Sequence, residues 1–222
     1  MDFLGTFERD LLEQMPLILA GLLNTLKLAF IISITGFLLS IFVFYMTLSK
    51  NRLIRISINS YISFFIGMPL IVLLFLMYYG LPQWGVRLDP FTVAVIGFTL
   101  NVAAYNAAYL KTAFNGLDMS QIEAATAQGF KSSQIFHLIT LPQVLRSSIP
   151  ALTNQVIGNL KDSSITFLIQ YTEFFARMQE LASTNFQFFK AYLLTALIYL
   201  LIVSFIVLIA RRIEKRLLIP IA

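Results

Sequence analysis

Residues 62–79, 91–110 and 191–210 each run for eighteen to twenty positions without a charged side chain. A helix rises 1.5 Å per residue, so about 20 apolar residues are what it needs to cross a hydrocarbon core of about 30 Å. A soluble domain is normally about one quarter charged. This 222-residue chain is 12% charged and 58% hydrophobic, with a mean hydropathy of +0.80. Its solvent is the bilayer, and its fold class is all-α.

Two further segments complete the expected set. Residues 16–49 are interrupted only by Lys27. As one helix they would measure roughly 51 Å, too long for an upright crossing, so either the first turns lie outside the core with Lys27 snorkelling or the helix is tilted. Residues 148–171 carry no charge apart from Lys161 and Asp162. The reading is five spans at about 17–48, 58–79, 91–112, 148–171 and 190–210. They form one transmembrane domain over 16–217, preceded by an outer segment, 1–15. The opening MDFLGTFERDLLEQ is mixed in charge and lacks the pattern of a cleaved leader, so the first span is expected to act as its own insertion signal. With no cysteine, disulfides and thiolate chemistry are excluded.

Five spans put the termini on opposite sides. With the C-terminus in the cytoplasm, the inner segments hold Lys50, Arg52, Arg55, Lys111, Lys131, Arg146, Arg211, Arg212, Lys215 and Arg216. The outer segments hold Arg9, Arg87, Arg177 and Lys190. Ten against four is a positive-inside bias, and it fixes an N-out, C-in orientation. The net charge of +5 is therefore a topology signal with some attraction to lipid headgroups, not a nucleic-acid footprint.

The same orientation places residues 118–142 in the cytoplasm. Within them EAATAQGFKSSQIFHLITLP is too polar to cross a membrane. The alanine-rich run 123–128 favours a short helix, and Gly129 can end it in a left-handed conformation. Ser132 or Ser133 is placed to cap a second helix through Ile135, Phe136 and Ile139, and Pro142 starts the next segment. The expected product is an elbow with one small face (Ala124, Ala125, Gly129) and one apolar face that includes Phe130. Small residues on a protruding helix let another protein approach closely.

Glu123, Ala124, Ala125, Gly129, Ile139, Leu141 and Pro142 fall in register with the signature of ABC importer permeases: Glu-Ala-Ala, Gly after three residues, and Ile-x-Leu-Pro nine residues later. The chain resembles the polar amino acid branch of that family (the histidine, glutamine and cystine type) over roughly 17–217. Gly21-Leu-Leu-Asn-Thr25-Leu26, Pro69-Leu70, Tyr79-Gly80-Leu81-Pro82, Asn101-x-Ala103-Ala104-Tyr105, Pro142-Gln143-x-x-Arg146 and Lys161-Asp162-x-Ser164 carry the rest of the likeness. It departs from that branch at Ile66-Gly67-Met68-Pro69, where Arg before Gly-Thr-Pro is usual, at Ala108, where Glu is usual, and at Ser120, where Gly is common. The resemblance implies a type I importer permease fold in a bacterial cytoplasmic membrane. It implies that the elbow is a coupling helix seated on an ATPase subunit present in two copies. It also implies a second, identical or different, permease and an extracellular or periplasmic amino-acid-binding protein. Here no G-x-x-x-x-G-K-[ST] loop is present, so ATP and its Mg belong to the partner ATPase and no cofactor is expected on this chain.

Ionisable groups inside a membrane are costly and call for a role. Asn154, Gly158 and Asp162 recur at four-residue spacing on one helical face, and Asn101 and Tyr105 do so on the third span. Lys161, Asp162 and Ser163, with Asn101, Tyr105 and Asn154, are the candidate substrate pathway, and Met68 is a candidate gate. An amino acid zwitterion would find a cation for its carboxylate in Lys161 and an acceptor for its ammonium in Asp162. Equally, these groups could stitch helices together or line a subunit interface. His137 is the single histidine and has no metal or catalytic partner set, so a packing or headgroup role is expected. The alternative function is an ion-coupled carrier or channel without an ATPase; an intramembrane enzyme lacks the residues.

Overall fold

A computed structural model describes residues 3–217, with side chains except at 3, 4, 6, 213, 216 and 217. Met1 and Asp2 of the expected outer segment, the Arg216 side chain of the basic count, and 218–222 lie outside the described residues. Those described are helical with short connections and no strand.

Helix α1 (Phe3–Thr47) is continuous through Pro16. A proline inside a helix removes one main-chain bond, here to the carbonyl of residue 12. The turn around Leu12 is open (69% exposed). Helix α2 (Arg52–Gly67) stops at Met68, held extended (φ −97°, ψ 129°) as a residue before proline must be. Pro69 opens α3 (Leu70–Phe75), which runs into a π-helical turn (Leu76–Gly80) and a 3-10 turn (Leu81–Trp84). The expected continuous span 58–79 is thus two pieces bent by 99°. Helix α4 (Pro90–Asn115) is capped by Asp89 and is the most enclosed of the long apolar helices.

A short α5 (Met119–Ala127), α6 (Ser132–Ile135) and a π-helical turn (Phe136–Thr140) lead into α7 (Leu141–Asp162). Helix α7 ends in a 3-10 segment, Ser163–Ile169, instead of continuing to 171. Helices α8 (Phe174–Asn185) and α9 (Phe188–Leu217) complete the chain. Among the described residues, helices α1, α4 and α9 are long and apolar enough to cross a membrane, and the bent α2–α3 pair makes a fourth if the two pieces are counted as one span. The expected fourth span is not apolar enough to qualify: Arg146, Lys161 and Asp162 all lie on α7.

Helix α1 is the spine, and its most extensive packing is on α4. Three apolar clusters string along it. Phe7 and Ile18 meet Phe174, Met178 and Leu181 of α8. Leu28 and Ile32 meet Leu74, Val93 and Phe98. Val43 and Phe44 meet Ile62, Leu110, Phe136 and Val144. In lipid, helices gain little from burying apolar surface against each other and depend on close packing. Gly36 provides it: a Cβ there would stand 2.5 Å from Val102 Cγ1. Next to it, Thr35 shares a hydroxyl hydrogen bond of 2.6 Å with Thr99, one turn from Val102.

Gly36→Leu therefore forces the α1–α4 seam apart and is expected to cost about 1–3 kcal/mol by overpacking. Gly158→Ala, where a Cβ meets nothing within 4 Å, removes a flexible residue from α7 and stabilises it. Thermal melts of the isolated chain in detergent should move in opposite directions; a Gly36→Leu melt equal to wild type would disprove the seam.

Candidate functional site

Asp118 begins the elbow by accepting the Ser120 amide at 3.0 Å. The helix it caps closes with the Phe130 amide on the Ala125 carbonyl and the Gly129 amide on the Thr126 carbonyl. That double bond needs a left-handed residue between, and Gly129 is there with φ +83°. The second cap differs from expectation. Lys131, not Ser132 or Ser133, holds the cap position, and the Gln134 side chain reaches back to accept its amide at 2.9 Å. The His137 ring N–H donates to the Ser133 carbonyl, and the exposed ring stands edge-on to Phe136.

Glu123, Ala124, Gly129, Phe130 and Pro142 are exposed; Ile139 and Leu141 are half-buried. Ala125 instead turns inward at 6% exposure, so the small face is split between a contact inward and a free surface outward. Phe136 anchors the elbow against the end of α1, 5.9 Å from the Phe44 ring and 4.6 Å from Tyr45. Between α5 and that end of α1 lies a cavity of about 540 Å³ lined by Tyr45, Met46, Phe114, Ile122, Thr126 and Thr140, among others.

The second polar feature is the break in α2–α3. A helix end leaves its last carbonyls without intrahelical donors. Here the Phe64 carbonyl takes the Met68 amide at 3.0 Å, the Phe65 carbonyl takes Asn101 Nδ2 at 2.9 Å, and the Ile66 carbonyl takes the Tyr105 hydroxyl at 3.5 Å. Two side chains one turn apart on α4 thus serve consecutive carbonyls of the break. Met68, half-buried, sits in the break itself.

The third lies on α7. Asn154, Lys161 and Asp162 are exposed on this chain's surface, with no ion pair between Lys161 and Asp162. Ser163 is buried, its hydroxyl donating to the Leu160 carbonyl. Among the described residues, no hydrogen bond links the α4 pair to the α7 group, although the two helices pack on each other. Alongside runs a polar set absent from the candidate pathway above: Gln155 donates to Asn159 at 3.0 Å, and Asn159 to Ser33 of α1 at 3.0 Å. These three, with Lys27 and Asn106, are polar points in an otherwise apolar cavity of about 870 Å³ between α1, α4, α7 and α9. The buried Asn106 Oδ1 has no hydrogen-bond partner. The four-residue spacing of Gln155 and Asn159 was the available signal. Glu173 is a further buried polar residue outside the candidate set. Fully buried, it caps α8 through the Phe175 and Ala176 amides and accepts from Thr25 of α1.

Residues 44–219 match the family model described as binding-protein-dependent transport system inner membrane component. The chain is 39% identical over 192 residues to PatM, a probable amino-acid ABC transporter permease protein of Vibrio harveyi, covering 85% of this chain and 86% of that one. It is 34% identical over 211 residues to the L-cystine transport system permease protein TcyB of Bacillus subtilis, covering 94% and 90%. Among solved structures it is similar to an amino acid ABC transporter crystallised with histidines, at a TM-score of 0.86 and 30% identity, covering 97% and 99%.

Two tests follow. Asn101→Leu keeps the volume but strands the Phe65 carbonyl, and should cost about 1–3 kcal/mol. Tyr105→Phe, removing a longer bond, should cost less; detergent melts of the two variants give the order. At the elbow, the Ser120 amide and hydroxyl hold the Asp118 carboxyl below the usual carboxylate range. A depressed carboxylate stabilises above its unfolded value, and that contribution disappears as pH falls through its folded value. Backbone chemical shifts of 119–127 should therefore show the helix fraying in acid in wild type and at neutral pH in Asp118→Ala. Asp118→Asn, which caps without a charge, should be indifferent to pH.

Proposed function

The chain belongs to the family of inner membrane components of binding-protein-dependent transport systems, and from that premise we propose that it is the permease subunit of an ATP-driven importer of a polar amino acid. The observation that carries this reading is the elbow. Its Glu-Ala-Ala…Gly…Ile-x-Leu-Pro register coincides with a helix that ends at a left-handed glycine and leaves Glu123, Ala124 and Gly129 open for a partner. The amino-acid permeases among its relatives support the substrate class.

In this reading the chain crosses the membrane five times, N-terminus outside and C-terminus in the cytoplasm. Helix α7 supplies the crossing too polar to stand alone in lipid. ATP and Mg are held by a separate ATPase, two copies of which seat on the elbows (Glu123, Ala124, Ala125, Gly129, Phe130, Ile139, Leu141, Pro142). This chain itself hydrolyses nothing. Five crossings do not enclose a gated path, so two permeases pair, and an external binding protein delivers the amino acid. The path runs along α7, with Lys161 and Asp162 as charged partners for a zwitterion, Asn154 and Ser163 beside them, and Met68 at the break as gate. Asn101 and Tyr105 act on the path by holding that break. A carrier that works without ATPases has no use for such an elbow.

The test is reconstitution in lipid vesicles with the ATPase and binding protein, screening cystine, arginine, histidine and glutamine for stimulated hydrolysis. Stimulation by at least one supports the reading; transport that persists with an inactivated ATPase overturns it in favour of the carrier. Gly129→Val, which strains the left-handed turn, is expected to abolish stimulation while leaving membrane insertion intact. Asp162→Ala should lower transport; unchanged transport removes Asp162 from the path.

A further inference from the structure

Helix α5 is loosely held. It packs on α6 and on the π-helical turn Phe136–Thr140, while towards α1 it faces the cavity of about 540 Å³ lined by its own Ile122 and Thr126. Among the described residues, one side-chain hydrogen bond leaves α5 for another element: Gln143 Nε2 of α7 donates to Gln121 Oε1 at 2.9 Å. The same nitrogen donates to the Ile139 carbonyl in the π-helical turn at 3.0 Å. The junction it spans is mechanically weak. A π-helical turn departs from regular helix bonding, and Pro142, directly after it, brings no main-chain N–H. Without Gln143, α5 could tilt into the cavity without α7 following.

We propose that Gln143 is a positioning residue, a strut that makes α7 follow α5. A displacement of the elbow then becomes a displacement of the helix that carries Asn154, Lys161 and Asp162. This rests on the importer reading above. Helix α7 runs without a break from Leu141 to Asp162, about 33 Å at 1.5 Å per residue; Pro150 inside it removes one main-chain bond but does not interrupt the helix, so a push at Gln143 is carried towards its far end. Both strut residues are amides, so the link is independent of pH. Gln143 is half-buried, its geometry fixed by the second bond, whereas Gln121 is exposed. Gln143 is therefore the anchored member and Gln121 the moving one.

The test uses the whole complex in lipid vesicles, with the amino acid from the screen above that stimulates hydrolysis most. Gln143→Met keeps length and helix preference and removes both hydrogen bonds; Gln121→Met removes only the link. Each is expected to lower amino acid transported per ATP hydrolysed roughly two- to tenfold, the factor equivalent to one exchanged hydrogen bond. Co-purification with the ATPase and the basal hydrolysis of Gln143→Met should not change. Because both variants break one link, the double variant should be no worse than Gln143→Met. Gln143→Lys combined with Gln121→Glu, which rebuilds a donor–acceptor pair, should recover coupling. Wild-type coupling in Gln143→Met, additive losses, failed recovery or loss of ATPase binding would each overturn the strut. Absence of stimulation in the wild-type complex would instead overturn the importer reading, and the strut with it.

Discussion

A main-chain carbonyl in hydrocarbon must find a donor inside the protein, and the second span breaks that rule unless another helix intervenes. Met68 and Pro69 stop α2 and turn the chain by 99°, leaving the final carbonyls of α2 short of donors. Asn101 and Tyr105 supply them from α4. The break exists only because α4 holds polar groups at the right height, and α4 holds that height because Gly36 lets it lie close against α1. The α1–α4 seam thus supports a bend that neither α2 nor α3 could sustain alone.

The same spine organises the rest of the chain. At the middle of α1, Thr25 and Glu173 tie α8 to it, with Thr25 also accepting the Phe174 amide. At its C-terminal end, Phe44 and Tyr45 receive Phe136 at the base of the elbow. Helix α1 is fastened firmly to the elbow's second half and only across a cavity to its first, α5. In the proposed reading this asymmetry supplies a fixed pivot and a lever with room beside it.

Much of this was legible in the residues. Uncharged runs announce α4 and α9, and the left-handed glycine and short helix of the elbow follow from its alanines and Gly129. What was not legible has a physical cause in each case. Gly67-Met68-Pro69 lies inside an apolar run, and hydropathy reports composition, not main-chain bonding, so the run reads as one helix. The stripe of Asn101 and Tyr105 announces polar groups facing something, but the periodicity of α4 does not say whether that is a substrate or a carbonyl. Lys131 displaces the serines as cap because Gln134, three residues on, satisfies its amide. Glu173 escaped notice because a carboxylate next to an apolar segment reads as a boundary, whereas here it is enclosed with four hydrogen-bond partners.

Helix α7 is the element whose sequence and setting agree least if the chain is taken alone. It presents Asn154, Lys161 and Asp162 on its open surface, and Gln155 and Asn159 toward a cavity. A charged side chain facing hydrocarbon costs several kcal/mol, and adjacent helical positions, about 100° apart, do not let Lys161 and Asp162 neutralise one another. Helix α9 shows the opposite pattern: nearly all of its apolar window is uncovered, and it carries no charge between Lys190 and Arg211. One helix is finished for lipid and the other is not. The face of α7 is therefore completed by water or by a second protein surface, and it is on this face, not on the more apolar helices, that the proposed path for a polar solute rests.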